Sequence, residues 1–328
     1  MQRIRQSVAA TLSVTFTDEL GLPQARAGGV TVGVTRANGD VVIASGTAAS
    51  AGASTGVFTK ALLASQTAQL DRLTAVWHDV TNNTDVTTYH KVVGGFLFTL
   101  TEAREYDDSI DDATDFPNQL IASRREDTEN ELEWICDRAF VPSYDRVIVD
   151  GDGTNLLQIG KHDLRRIRAI SIYRDGLDGT ATALTSTELS ALGLLPGGLI
   201  RRTDGNIFDF GVANVIVDVE YGLDGLTVDG TLVAAAIERM ISRIVMPKSG
   251  MPNRTKAWTD PNGNRYEFAG PDAYRTGIDS IDAVYARFSK RARPEDDANG
   301  GGPVTMVPAS RTLSYDPQWG SLFRGGPR

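Results

Sequence analysis

A chain of 328 residues can bury more than one core, and its composition is that of a globular protein. The formal charge of −9 argues against a general nucleic-acid binder, which carries a basic excess or a dense basic stripe. A single cysteine, Cys136, excludes an internal disulfide and fits synthesis in a reducing cytoplasm.

The start, Met1 to Arg5, is charged but leads into alternating Ser, Thr and Val rather than a continuous apolar core, so no signal peptide is expected. From Ser7 to Asp18, Val8, Ala10, Leu12, Val14 and Phe16 fall on one side and Thr11, Ser13, Thr15 and Thr17 on the other, the period of a half-buried strand. Pro23 and Gly28-Gly29 interrupt the alternation, Val30, Val32 and Val34 resume it, and Asn38-Gly39 supplies a tight turn into Val41 to Ala44. Further strands are predicted at Val57 to Leu62, Leu73 to Asp79 and Asp85 to Val93. This spacing predicts an all-β sandwich over residues 1–100, with Trp77 as its core aromatic. The segment is similar to the cysteine-free immunoglobulin-like domains attached to phage virion proteins, and reads as a spacer or decoration module. A glycan-binding or adhesin role is the alternative; it would need exposed aromatics, and Phe58, Trp77 and Tyr89 are those on offer.

Phe96 to Leu100 reads as a last strand or the start of a linker, with a domain boundary near Thr101. Glu102, Glu105, Asp107, Asp108, Asp111, Asp112 and Asp115, opposed by Arg104 alone, predict a solvated, partly helical connector. Asp115 to Pro142 then predicts the central helix, with Pro117 in its first turn. Leu120, Ile121, Arg124, Thr128, Leu132, Ile135, Cys136 and Ala139 recur at spacings of three and four and form its packing stripe, which makes Cys136 a core residue. Arg124, Arg125, Glu126, Asp127, Glu129, Glu131, Glu133 and Asp137 read as a solvated outer face on which Arg125 and Glu129 can pair.

Val141 to Val149, the turn Asp150-Gly151-Asp152-Gly153 and Leu156 to Ile159 predict a hairpin. Leu164 to Arg174 is a strand partly apolar on both faces, as under a helix, and Asn214 to Tyr221 is another, with a helical turn at Glu188 to Leu192 between them. Asp229 caps a helix whose stripe is Val233, Ala236, Ile237, Met240, Ile241 and Ile244, stopped at Pro247. Lys248 to Thr276 is predicted to be a long projecting loop. Ile281, Val284, Tyr285 and Phe288 make a short amphipathic helix. From Pro294 the chain is a Gly- and Pro-containing tail with no periodic apolar face.

A charged helix running into Arg138-Ala139-Phe140-Val141-Pro142, a strand, a D-G turn, Leu156-Leu157-Gln158-Ile159 and then Leu164 to Tyr173 resembles the head-to-tail adaptor (connector) proteins of long-tailed double-stranded DNA phages. The order continues with Gly198-Leu199-Ile200-Arg201, Val217-Asp218-Val219-Glu220-Tyr221-Gly222 and two helices, so the resemblance covers residues 100–293 and leaves the N-terminal third without a counterpart. With the sandwich at 1–100 it makes an α+β multidomain chain, in which the resemblance implies a mainly helical connector domain with a small antiparallel sheet at 101–293, followed by an extended docking tail at 294–328. The function implied is structural: a ring below the portal of a DNA-filled head, most often twelvefold, at the head-tail junction of a virion assembled in the bacterial cytoplasm. Its partners would be the portal protein, the next connector or tail-completion protein, further copies of itself, and DNA that passes without sequence-specific contact. In the tail, Tyr315, Trp319 and Phe323 recur at four-residue intervals with Arg311 and Arg324 beside them, and these five are the candidate portal-docking residues.

His78, His90 and His162 are scattered, and no phosphate-binding loop or nucleophile elbow is present. The calcium-loop-like start at Asp150 meets Lys161 where an acid is required. No catalytic residue, cofactor or metal is therefore expected, and no membrane span, since Leu232 to Met246 is broken by Glu238, Arg239 and Arg243.

Overall fold

The computed structural model describes residues 1–26, 28–52, 54–173, 179–224, 228–245, 257–259, 265–267 and 276–290. Eight strands form the N-terminal unit: β1 (Gln2–Arg5), β2 (Ala10–Thr15), β3 (Val30–Arg36), β4 (Val41–Ala48), β5 (Ser50–Ala51), β6 (Val57–Leu62), β7 (Asp71–Asp79) and β8 (Thr84–Val93). One sheet has the order β1-β8-β7-β3-β4 and the other β2-β6-β5. Only the β1–β8 pairing in this unit is parallel. This is the strand order of an immunoglobulin-type Greek key, with the second, fifth and sixth strands facing the rest. Alternation dictates the packing: every second residue of β7 from Asp71 to Asp79 is buried, and Leu12, Val14 and Phe58 from the small sheet meet Val32, Val34, Leu73 and Trp77 from the large one. Trp77 is fully buried, and its indole N–H donates to Thr88 Oγ1 at 3.0 Å. Two local expectations change. β1 is too short to show a period and was not anticipated, and the segment from Phe96 forms no strand, because Thr99 caps a helix, α1 (Leu100–Tyr106), in a reciprocal capping box with Glu102.

The expectation of a mainly helical connector domain is overturned. Among the described residues beyond Thr99, five helices stand against nine strands: α1, α2 (Asn118–Cys136), β9 (Ser143–Gly151), β10 (Leu156–Gln158), β11 (Leu164–Tyr173), β12 (Ala181–Ala183), α3 (Ser186–Ser190), β13 (Leu192–Leu195), β14 (Leu199–Arg202), β15 (Gly211–Tyr221), α4 (Gly230–Val245), β16 (Ala257–Thr259), β17 (Arg265–Glu267) and α5 (Asp279–Phe288). Six of the nine strands span only three or four residues, too few to display a period of two, which is why the strand content was underestimated. The predicted hairpin at 141–159 is also corrected. β9 pairs with β15 in the sheet β12-β11-β15-β9, whereas β10 pairs with β14 in a separate sheet, β10-β14-β13.

The long β11 and β15 pack Ile170, Val215, Val217 and Val219 against Leu157 and Ile200 of the smaller sheet. A second core lies among the helices, where Leu132, Ile135 and Cys136 of α2 meet Ala236, Met240 and Ile244 of α4 and Ile281 and Tyr285 of α5. The acidic stretch after α1 is held by a single cation: Arg104 donates to the carbonyls of Ile110, Asp111 and Phe116 and to Asn118 Oδ1. The central helix is shorter than predicted. It starts at Asn118 without a side-chain cap and stops at Asp137, which takes a left-handed conformation with its N–H on Glu133 O. The Lys248 to Thr276 loop falls largely outside the described residues; β16 and β17 within it pair antiparallel. The same holds for the whole tail from Pro294, so Arg311, Tyr315, Trp319, Phe323 and Arg324 lie outside the described residues.

Candidate functional site

Two arrangements in the described residues have no purely local explanation. The first is the seam where the sandwich meets α2. Arg3 belongs to the sandwich through its backbone, yet its guanidinium reaches Glu129 Oε2 at 3.0 Å, Glu133 Oε2 at 2.8 Å and Asn130 Oδ1 at 2.9 Å. The other oxygen of Glu129 accepts from the Leu97 N–H at 2.8 Å. Arg125, one turn earlier on α2, donates to Phe98 O and stacks 3.6 Å from the Phe96 ring centroid. Arg125 and Glu129 are thus buried, not on the solvated face predicted for them, while Arg124, placed on both the stripe and the outer face, is half-buried.

Electrostatics at this seam are dominated by desolvation. Burial raises the Glu129 carboxyl to about 7 although Arg3, the Leu97 N–H and Arg125 all favour its charge. Burial also opposes the charge on Arg3, but Glu133 and Glu129 outweigh it and keep the guanidinium firmly protonated. Glu133 Oε1 has no hydrogen-bond partner within the protein, and beside it lies a void of about 10 Å³ bounded by Arg3, Leu97, Phe140 and Val141, room for about one water. A second, shallower contact runs parallel: Asp145 of β9 binds Arg72 of the sandwich at 2.9 Å and Lys161 at 2.8 Å. Gly94 N donates to Pro142 O at 2.8 Å, and a side chain at Gly94 would run into the Pro142 ring.

The second arrangement is a tip at the far end of the larger sheet. Gly151 and Gly211 face each other where β9 ends and β15 begins. Buried Asn214 ties the two together, accepting from Gly151 N at 2.8 Å and donating to Asp209 O at 2.9 Å. Phe208 is fully buried, with its N–H on Thr154 O at 2.7 Å, and Ala213 N donates to Asp150 Oδ1 at 2.6 Å. From this fixed base Ile207, Phe210 and Val212 project, Phe210 being 81 % and Val212 73 % exposed. Sequence reasoning passed over them. The available signal was Phe208-Asp209-Phe210 inside a Gly- and Asn-rich turn, two aromatics where turn chemistry needs none.

Of the aromatics a glycan-binding sandwich would use, Trp77 and Phe58 are buried and Tyr89 is exposed. His90 is buried between Thr88 and Gln2, and burial lowers it to about 4, so it is neutral at physiological pH. No helix among the described residues is long and apolar enough to cross a membrane.

No protein-family model matches the chain, and no curated protein matches it in sequence. Among solved structures, 54 % of this chain is similar to 81 % of a chain in the "Virion of native gene transfer agent (GTA) particle", at a TM-score of 0.36 and 11 % identity. A likeness of that depth carries no argument, and the functional reading rests on residues and geometry.

Proposed function

We propose that this chain is a structural virion protein, a head-to-tail adaptor that forms a ring below the portal and joins a DNA-filled head to its tail. The observation that carries the reading is that the segments bearing the adaptor-like motifs, far apart in sequence, pack on one another. Arg138 binds Asp163 at 2.5 and 3.0 Å, and Leu223 N donates to Ala139 O at 3.0 Å. Gly222, at a φ of +100°, lies so close to Val141 O that any side chain would collide with it. Gly198, at +79°, lies in the same way against the Lys161 carbonyl, and its own carbonyl accepts from Ile159 N. The motif residues are therefore the joints of one structural unit, which supports the reading.

On this reading the partners are the portal protein, the next connector or tail-completion protein and further copies of this chain. DNA passes through without sequence-specific contact, which the net charge of −9 favours because a basic lining would retain it. The chain works without catalysis, at the head-tail junction. The tail residues Arg311, Tyr315, Trp319, Phe323 and Arg324 are proposed to seat on the portal, as anchoring aromatics and arginines do. The test is to add purified protein to DNA-filled, tail-less heads and image them. A ring of density at the portal vertex, absent when residues 304–328 are removed, is expected; protein that binds nowhere on the heads, or on the capsid faces, would refute the adaptor role.

A further inference from the structure

The ring reading requires that one face of each subunit meet a different face of the next. Resting on that reading, the geometry points to the two ends of the larger sheet as those faces, with the Phe210 tip of one copy seated on the Arg165–Arg166 end of its neighbour. β15 runs from Gly211 at the tip to Tyr221, a span of about 30 Å, so the two ends are held apart by one continuous strand. At the far end β11 enters the sheet with a register shift between Leu164 and Arg166, and both Arg165 and Arg166 are exposed there.

The two ends match chemically. The tip presents Phe210 and Val212 beside the exposed carboxylates of Asp150 and Asp152, and the other end presents two guanidinium groups. A guanidinium can lie flat on an aromatic face and at the same time pair with a carboxylate, so two arginines satisfy both halves of the tip. Rigidity adds to the case. Exposed aromatics in wandering loops are ordinary, but this one stands on a base fixed by Asn214, Phe208 and Asp150, so little freedom is lost when it docks. A second copy is favoured over another protein because the complementary surface is present on the chain itself.

The experiment uses the full chain and sedimentation velocity. Phe210→Lys disables the tip by removing the ring and setting a cation against the basic end, and leaves that end intact; Arg165→Ala with Arg166→Ala does the reverse. Each variant alone should sediment as a single chain under conditions in which the unaltered protein is multimeric. An equimolar mixture should give a one-to-one dimer and nothing larger, since each pair holds one competent contact and two dead ends. Val212→Lys serves in place of Phe210→Lys should circular dichroism show the latter unfolded. Variants that assemble like the parent, or a mixture that stays monomeric, overturn the inference and leave the ring reading standing. A Phe210→Lys protein that still self-assembles but no longer binds portal-bearing heads assigns the tip to another partner and also overturns it. Unaltered protein that remains monomeric at every concentration defeats both readings.

Discussion

The sandwich and the unit that follows it solve the same problem in opposite ways. Residues 1–93 bury one core between two sheets, with Trp77, Phe16 and Phe58 facing inward and Tyr89 outward. The following unit keeps two cores, one among helices and one between sheets, and leaves Phe210 and Val212 in solvent. Where they meet, the contact is ionic. A seam made of Arg3, Glu129, Glu133 and Arg125 supplies orientation more than stability, because desolvating these charges offsets most of their attraction. The sandwich is thus aimed by charge, and the second unit carries an exposed aromatic, Phe210, on a hydrogen-bonded base.

The largest effect is expected from breaking the seam. Arg3→Met leaves Glu129 buried without its ion-pair partner and Glu133 with only Lys91 at 3.7 Å, and a loss of about 3–5 kcal/mol in urea unfolding is expected. Glu129 gives this a pH signature. Its carboxyl is raised to about 7 in the folded chain, so the folded state holds the proton more tightly than the unfolded one. The associated stability is fully present below the ordinary carboxylate range and is lost as pH rises through about 7. The Arg3→Met loss should therefore be greater at pH 8 than at pH 6, and Glu129→Gln should flatten that dependence. Equal losses at both values would show that Glu129 stays ionised throughout. The boundary proposed near Thr101 can be probed with the same variant, since opening the seam should let a protease release the sandwich.

A smaller effect tests the joint in the second unit. Gly222→Ala meets both a positive φ and the Val141 carbonyl, so a cost of about 1–3 kcal/mol is expected, confined to the second unit. Hydrogen exchange should show increased opening in β9 and β15 with β7 unchanged. The smallest effect sharpens the contrast between Phe208 and Phe210. Phe210→Ala should shift folding stability by no more than about 0.5 kcal/mol. A large loss would mean the tip is structural and not a surface for partners.

These differences also explain what could be read from the sequence. The sandwich was legible because Leu12, Val14, Val32, Val34 and Trp77 sit on strict alternation, and α4 because its stripe repeats at helical spacing. Arg125 and Glu129 were misassigned because a charged residue on a helix reads as solvated unless its partner is known. The partner of Glu129, Arg3, is 126 residues away in a strand too short to announce itself, and Arg125 rests on Phe96 and Phe98, in a stretch that reads as a strand or linker. The hairpin at 141–159 failed for a related reason. Its turn residues are sound, but β10 finds β14, and pairing between distant strands leaves no local trace. Phe210 was overlooked because exposure of an apolar residue follows from the rigid base beneath it, which only the folded chain contains.

Native mass spectrometry of the unaltered full chain tests the central claim most directly. A ring-forming adaptor predicts one closed multimer of fixed copy number that does not grow with concentration, since head-to-tail contacts that close leave no free end. A single chain at all concentrations, or an open series of dimer, trimer and longer species without a terminus, would contradict it.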